Sequence, residues 1–233
     1  TVADLPTLTN VETLKITPLV AVTANDISLQ GWTPNVTSVV VDAPLASMDI
    51  INVASSVGTY TLSNVATDAV DLTVTTLAGL DSGSNDALSL TLSGASAAAT
   101  GTGTNFADVK FTGAAAGDGF DKVTVNSTGS ANRLNSLTVE DGTGPNVSTM
   151  DSLTITGDQN LRINNALDFS GSTGTITASA ATGNVNLTVG TEDITATFGG
   201  GDDRLAMSTA GDLTSADTID MGAGTADTFA WAE

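Results

Sequence analysis

The chain contains no cysteine and no histidine. That pair of absences removes disulfides, thiolate and imidazole metal ligands, Ser-His-Asp hydrolysis and histidine acid–base catalysis together. Aromatic residues make up 4% of the sequence, so a core has to come from many short strands of small apolar residues, not from a few bulky anchors. The dipeptide Asn-Gly, the strongest hairpin signal, is absent. No apolar run is long enough for a membrane-spanning helix. Positive charge is the scarcest commodity: 6 Lys and Arg stand against 26 Asp and Glu, a net charge of −20 over 233 residues. Nucleic acid and anionic membrane surfaces need cationic side chains and are disfavoured as partners on that count. Divalent cations are the natural counterpart, and solubility in a salty or extracellular setting is the competing reading.

What the chain does have is Thr, Ser, Ala, Gly, Val and Asp, with little of the straight-chain richness of long helices. Period-two alternation predicts a series of short strands: 12–16, 36–41, 60–65, 70–75, 87–92, 109–111, 122–125, 134–139, 152–155, 160–163, 175–178, 185–189, 194–198, 204–207, 218–219 and 228–231. Turn residues separate them, as in Asp81–Asp86, Gly117-Asp118-Gly119 and Gly157-Asp158. An apolar-Thr-apolar unit recurs, at Leu72-Thr73-Val74, Leu90-Thr91-Leu92, Val123-Thr124-Val125, Leu137-Thr138-Val139, Leu153-Thr154-Ile155 and Leu187-Thr188-Val189. Its middle Thr points away from the core, and the unequal intervals imply rungs of irregular length.

Two all-β architectures fit: an irregular parallel β-helix, or solenoid, and a tandem β-sandwich. The solenoid is preferred, because the strands are short and aliphatic and hairpin signals are missing. Ala95–Thr100 and Gly113–Gly117 are too broken by glycine for helices and read as loops or insertions between rungs. The composition seam near 94–105 divides the chain into 1–95 and 96–233, either two segments or one continuous solenoid. Thr1–Asn10 has neither a basic start nor an apolar run, so the chain reads as a soluble piece of a longer exported protein, or as a mature chain behind a cleaved signal.

The most specific motif is Phe198-Gly199-Gly200-Gly201-Asp202-Asp203-Arg204-Leu205. Glycines allow a tight turn, an Asp caps it, and an apolar residue opens the next strand. Asp203 is the candidate calcium ligand, completed by carbonyls around Gly199 and Gly201 and by a stacked neighbour, since calcium takes several hard oxygens. That neighbour is the stretch Ser215–Phe229, with Gly222 and Gly224 in the glycine positions and Asp227 as its carboxylate. Ala226 adds one residue before Asp227, which displaces that carboxylate and leaves Asp217 and Asp220 as substitutes.

The segment from Phe198 to Phe229 resembles the repeats-in-toxin (RTX) family of type I secreted bacterial proteins. The rest, including Leu8-Thr9-Asn10-Val11-Glu12-Thr13-Leu14-Lys15-Ile16, is similar in style to the surface-layer members of that family. The resemblance implies a Ca²⁺-triggered β-helix or β-roll, secreted unfolded, folding at the bacterial cell surface and assembling with copies of itself into a two-dimensional lattice. A cell-surface polysaccharide or lipopolysaccharide would then be met through another part of a parent chain. Uninterrupted tandem nonapeptides are missing, which favours scattered sites. The alternative is a calcium-stabilised adhesin or secreted effector segment.

Further acidic pairs are candidates: Asp81 with Asp86, Asp118 with Asp121, Glu140 with Asp141, Asp151 with Asp158, and Glu192 with Asp193. Gly117-Asp118-Gly119-Phe120-Asp121 is the best of them, two acids flanking a glycine turn before a strand. A turn Asp bonding its own backbone is the competing reading for each. A carboxylate pair working on sugars would want aromatic platforms, but Trp32, Tyr60 and Trp231 are scattered, so no enzyme is expected. The cations Lys15, Lys110, Lys122, Arg133, Arg162 and Arg204 are spread singly and read as charge relief, with a pairing of one of them to an acid across a lattice contact as the alternative.

Overall fold

The computed structural model describes residues 9–17, 26–30, 36–54, 57–65, 70–77, 86–95, 106–143, 147–209 and 211–231. No helix occurs among them. The strands are β1 (Thr13–Ile16), β2 (Asp26–Ser28), β3 (Ser38–Asp42), β4 (Met48–Val53), β5 (Thr59–Ser63), β6 (Leu72–Thr76), β7 (Ala87–Ser93), β8 (Ala107–Thr112) and β9 (Lys122–Thr128). They continue as β10 (Asn132–Glu140), β11 (Ser152–Gly157), β12 (Leu161–Leu167), β13 (Thr173–Ala181), β14 (Val185–Val189), β15 (Asp193–Thr197), β16 (Arg204–Met207), β17 (Thr218–Asp220) and β18 (Thr228–Ala230).

The odd-numbered strands form one nine-stranded sheet and the even-numbered strands another. Every pairing in both sheets is parallel. The chain therefore changes sheet at each connection, and an odd strand with the even strand after it makes one rung of a two-sided parallel β-helix. A tandem β-sandwich is excluded, because its sheets are antiparallel. One edge carries the odd-to-even turns, and the opposite edge carries the even-to-odd turns.

Alternation builds the core. In the odd sheet Val39, Tyr60, Leu90, Val125 and Ile155 stack in register, all buried. In the even sheet Ile50, Val74, Phe111 and Val139 do the same. Tyr60 meets Phe111 edge-on at 5.0 Å, and Phe111 meets Phe120 at 6.0 Å. Tyr60 is thus a core residue; Trp231 is exposed, and Trp32 lies outside the described residues. The Thr of each apolar-Thr-apolar unit is half-exposed between two buried neighbours. On the outer face of the odd sheet Thr124 and Thr154 belong to a column of hydroxyl residues: Thr13, Ser38, Thr59, Ser89, Thr124, Thr154, Thr177, Thr197.

Both sheets run across the composition seam, β6 pairing with β8 and β7 with β9; residues 96–105 lie outside the described residues. Buried Asn132 ties the rungs together there. Its side-chain amide donates to Leu92 O, Ser127 Oγ and Thr128 O, and its Oδ1 accepts from the Ala95 amide. Strands β2 and β4 fall outside the predicted series. The first is three residues long, and in the second the register shifts at Asn52, whose φ is 57°, which breaks the alternation.

Candidate metal-binding turns

The turns 198–203 and 221–227 lie on the odd-to-even edge and stack on successive rungs. The Phe198 amide donates to Asp220 O at 2.8 Å, Ala223 N to Gly199 O at 2.8 Å, and Thr228 N to Asp203 O at 2.8 Å. Their glycines are required by this stacking. A Cβ on Gly222, where φ is +80°, would stand 2.2 Å from Gly199 O, and one on Gly224 would stand 2.2 Å from Gly201 O. Gly199 and Gly201 meet Ala181 O and Gly183 O of the preceding rung in the same way, at 2.1 and 2.6 Å. Gly200 meets nothing.

Aspartates continue the column. Asp227 Oδ1 accepts from Asp203 N at 2.8 Å, and Asp203 Oδ1 accepts from Val185 N at 2.7 Å. Each carboxylate thus caps an amide one rung back, and the extra Ala226 does not displace Asp227 from this ladder. Asp203 is 2% exposed, and its Oδ2 is buried with no hydrogen-bond partner. Burial pushes its carboxyl above the ordinary range, the charges of Asp227 and Asp202 add to the rise, and the Val185 and Gly199 amides offset part of it. Asp202 is committed differently: Thr225 N, Thr225 Oγ1 and Ala226 N donate to its Oδ1 and hold its carboxyl below the ordinary range. Exposed Asp220 accepts from Gly222 N and so caps its own turn.

Asp217 does not join this group. It stands on the opposite edge, at the far end of β17, where Oδ1 accepts from Ile194 N at 2.6 Å and Oδ2 from Thr214 N at 2.7 Å. It therefore cannot substitute for Asp227 beside Asp203. On that same even-to-odd edge Asp118 is buried at 2% exposure. Asp121 sits in a column with Asp86 and Asp151, each immediately before its strand. Asp121 Oδ2 accepts from Asp86 N at 3.0 Å. Burial raises its carboxyl, with the Asp151 and Asp86 charges adding to the effect.

The described acids of the remaining sequence pairs take different partners, Asp193 accepting from Thr214 Oγ1. Glu140 forms an ion pair with Lys110, while Asp141 accepts from Thr143 and Gly117. Asp151 and Asp158 stand at opposite ends of β11. Asp81 lies outside the described residues. Glu192 shares its surroundings with Asp168: a Cβ on Gly190 would lie 2.7 Å from Glu192 Oε2 and 3.3 Å from Asp168 Oδ1, and Glu192 Oε2 is buried without a partner. Asp168 is missing from every pair drawn from the sequence. Its signal is register, because Leu167 pairs with Val189 and so sets Asp168 beside Gly190.

Among the described residues no three acidic side chains converge on one point. An ion here would rest on two carboxylates from successive rungs plus backbone carbonyls. Asp203 and Asp227 with the carbonyls of Gly199 and Gly201 fit that description, all hard oxygens of the kind calcium accepts. The unpartnered Oδ2 is the position such an ion would satisfy. The fold and these turns define the class as an acidic two-sided parallel β-helix with carboxylate-capped glycine turns. No protein-family model, curated protein or solved structure matches the chain.

Proposed function

We propose that the chain is a calcium-dependent structural component of a bacterial surface layer, folding outside the cell and assembling with copies of itself in two dimensions. One observation carries the calcium reading. The Asp203 carboxylate is buried in a stacked glycine turn with Oδ2 unpartnered and with the charge of Asp227 beside it. A buried charge in that condition is costly alone and becomes a cross-link once a cation bridges the two rungs. Asp203 and Asp227 would supply carboxylate oxygens, and Gly199 and Gly201 carbonyl oxygens. The role is structural and not catalytic in this reading: Tyr60 is spent on the core, and the turn acids cap backbone amides.

Circular dichroism, thermal melting and electron microscopy of one sample in EDTA and in millimolar calcium test the proposal. Calcium is expected to raise the melting temperature and to produce ordered sheets. Equal melting in both conditions removes the calcium role. Calcium-stabilised particles that stay monomeric and elongated in light scattering replace the lattice with an adhesin stalk.

A further inference from the structure

Three of the protein's six cations fall into one place in the fold. Parallel register aligns Arg133 with Arg162, Arg162 with Asn186, and Asn186 with Arg204, a column at the strand starts of the even sheet. In the sequence these arginines are far apart; only the rung repeat brings them together.

Arg162 and Arg204 are not paired with acids of their own chain among the described residues. The ion pairs formed among the described residues are Lys15 with Asp42 and Lys110 with Glu140. Neither Arg162 nor Arg204 forms one, although acids are in excess and Asp158, Asp202 and Asp203 are close in sequence. Asp202 and Asp203 are already engaged by backbone amides. The Arg133 guanidinium lies 3.6 Å from the Phe106 ring centre, and Arg204 donates to Asn186 Oδ1. Arg162 is exposed between them and makes no hydrogen bond or ion pair with the described residues.

The complementary surface is on the same molecule, at the opposite corner. Strands of the even sheet begin at the odd-to-even edge, and strands of the odd sheet begin at the even-to-odd edge. The arginine column and the column of Asp121 and Asp151 therefore lie diagonally across the cross-section, on different sheets and different edges. The levels also agree. Asp121 precedes β9 and Arg133 lies in β10, one rung; Asp151 precedes β11 and Arg162 lies in β12, the next rung. Two rungs further on, the Asp217 carboxylate accepts from Ile194 N, in the rung of Arg204.

We infer that this chain associates side by side with a second copy through these columns, exposed Arg162 of one copy facing exposed Asp151 of the next, with rungs level. Both columns carry the same repeat of about 4.8 Å along the axis, the strand spacing of any β-sheet, so a purely lateral displacement brings every pair together. Opposite corners make the contact heterologous, and a heterologous contact without a closing rotation propagates as an open array and not as a dimer. The inference rests on the assembly reading above and assigns its lateral contact.

Exposed Arg162 and Asp151 give the test, since charge changes there leave the core and the amide caps intact. In full chains with calcium, Arg162→Glu and Asp151→Arg are each expected to raise the protein concentration needed for assembly by roughly fivefold or more, the scale of about a kcal/mol per reversed contact. The double variant R162E/D151R is expected to assemble as the original does, and all three are expected to melt as the original does. Assembly of either single variant at the original concentration overturns the contact, and so does a normally folded double variant that fails to recover. If the unaltered chain folds with calcium yet never assembles, both this contact and the lattice fall; if it assembles while R162E does too, only the contact falls.

Discussion

Asp203→Asn separates the two halves of the calcium argument. In the folded chain the Asp203 carboxyl has its pKa raised, chiefly by burial, so its burden is absent below the ordinary carboxylate range and appears as pH rises through the folded value. At neutral pH without calcium the structure holds a buried acceptor, Oδ2, with no donor, a condition that costs about 1–3 kcal/mol. Asparagine keeps an oxygen for the Val185 amide, removes the charge, and offers a donor in place of the orphaned acceptor. In EDTA at pH 7 the variant is therefore expected to be more stable by about 1 kcal/mol, a rise of roughly 2–4 °C in melting temperature for a chain of this size. At pH 3 that advantage disappears, because the original carboxyl is then protonated.

In calcium the order reverses. At free calcium near a hundred times a site's dissociation constant, the site adds about 2.7 kcal/mol; the variant should lose that increment, roughly 5–10 °C of calcium-induced shift. Differential scanning calorimetry in EDTA and in calcium, at pH 7 and pH 3, reads all four numbers. An unchanged calcium shift in the variant, or a lower melting temperature in EDTA at pH 7, would refute the reasoning.

Two further outcomes follow from the turns and the outer face. Gly201→Ala sets a Cβ 2.6 Å from Gly183 O, and is expected to cost at least about 2 kcal/mol; Gly200→Ala, with nothing within 4 Å, should fall within about 0.5 kcal/mol of the original. Urea melts of the two compare them directly, and equal losses would contradict the stacked-carbonyl account. Asp42 is held at a pKa of about 2, first by its bond with Lys15 and then by Asn64 and Ser63. Its contribution is present above the ordinary carboxylate range and is lost as pH falls toward 2. A carboxyl-carbon NMR titration should show that midpoint, and Lys15→Met should move it upward; no movement would remove Lys15 as the main cause.

The strands were legible because burial alternates with period two, and Leu72-Thr73-Val74 or Leu187-Thr188-Val189 states the inside and outside faces without ambiguity. Parallel stacking was legible by elimination, from missing hairpin turns and short aliphatic strands. What could not be read was which acids meet. Asp151 lies seven positions from Asp158 and is separated from it by the length of β11, yet it stands one rung from Asp121, thirty positions away. Local spacing informs on a turn's own cap, as Asp220 with Gly222 shows. Spacing between turns depends on rung lengths, which masked both the Glu192–Asp168 neighbourhood and the arginine column. The glycine turns at Gly199–Gly201 and Gly222–Gly224 were visible for the opposite reason: tight backbone stacking admits few other residues, so its constraint is written into single positions.

The parallel register has a mechanical corollary. Its interstrand hydrogen bonds lie along the stacking axis, so tension applied end to end opens them one rung at a time, as a zipper yields, at low force. Traction across the axis instead runs along the strands and is carried by the covalent backbone of every rung at once. Such a molecule is soft lengthwise and stiff crosswise, and a fabric made by setting these rods side by side would take its strength from the second direction.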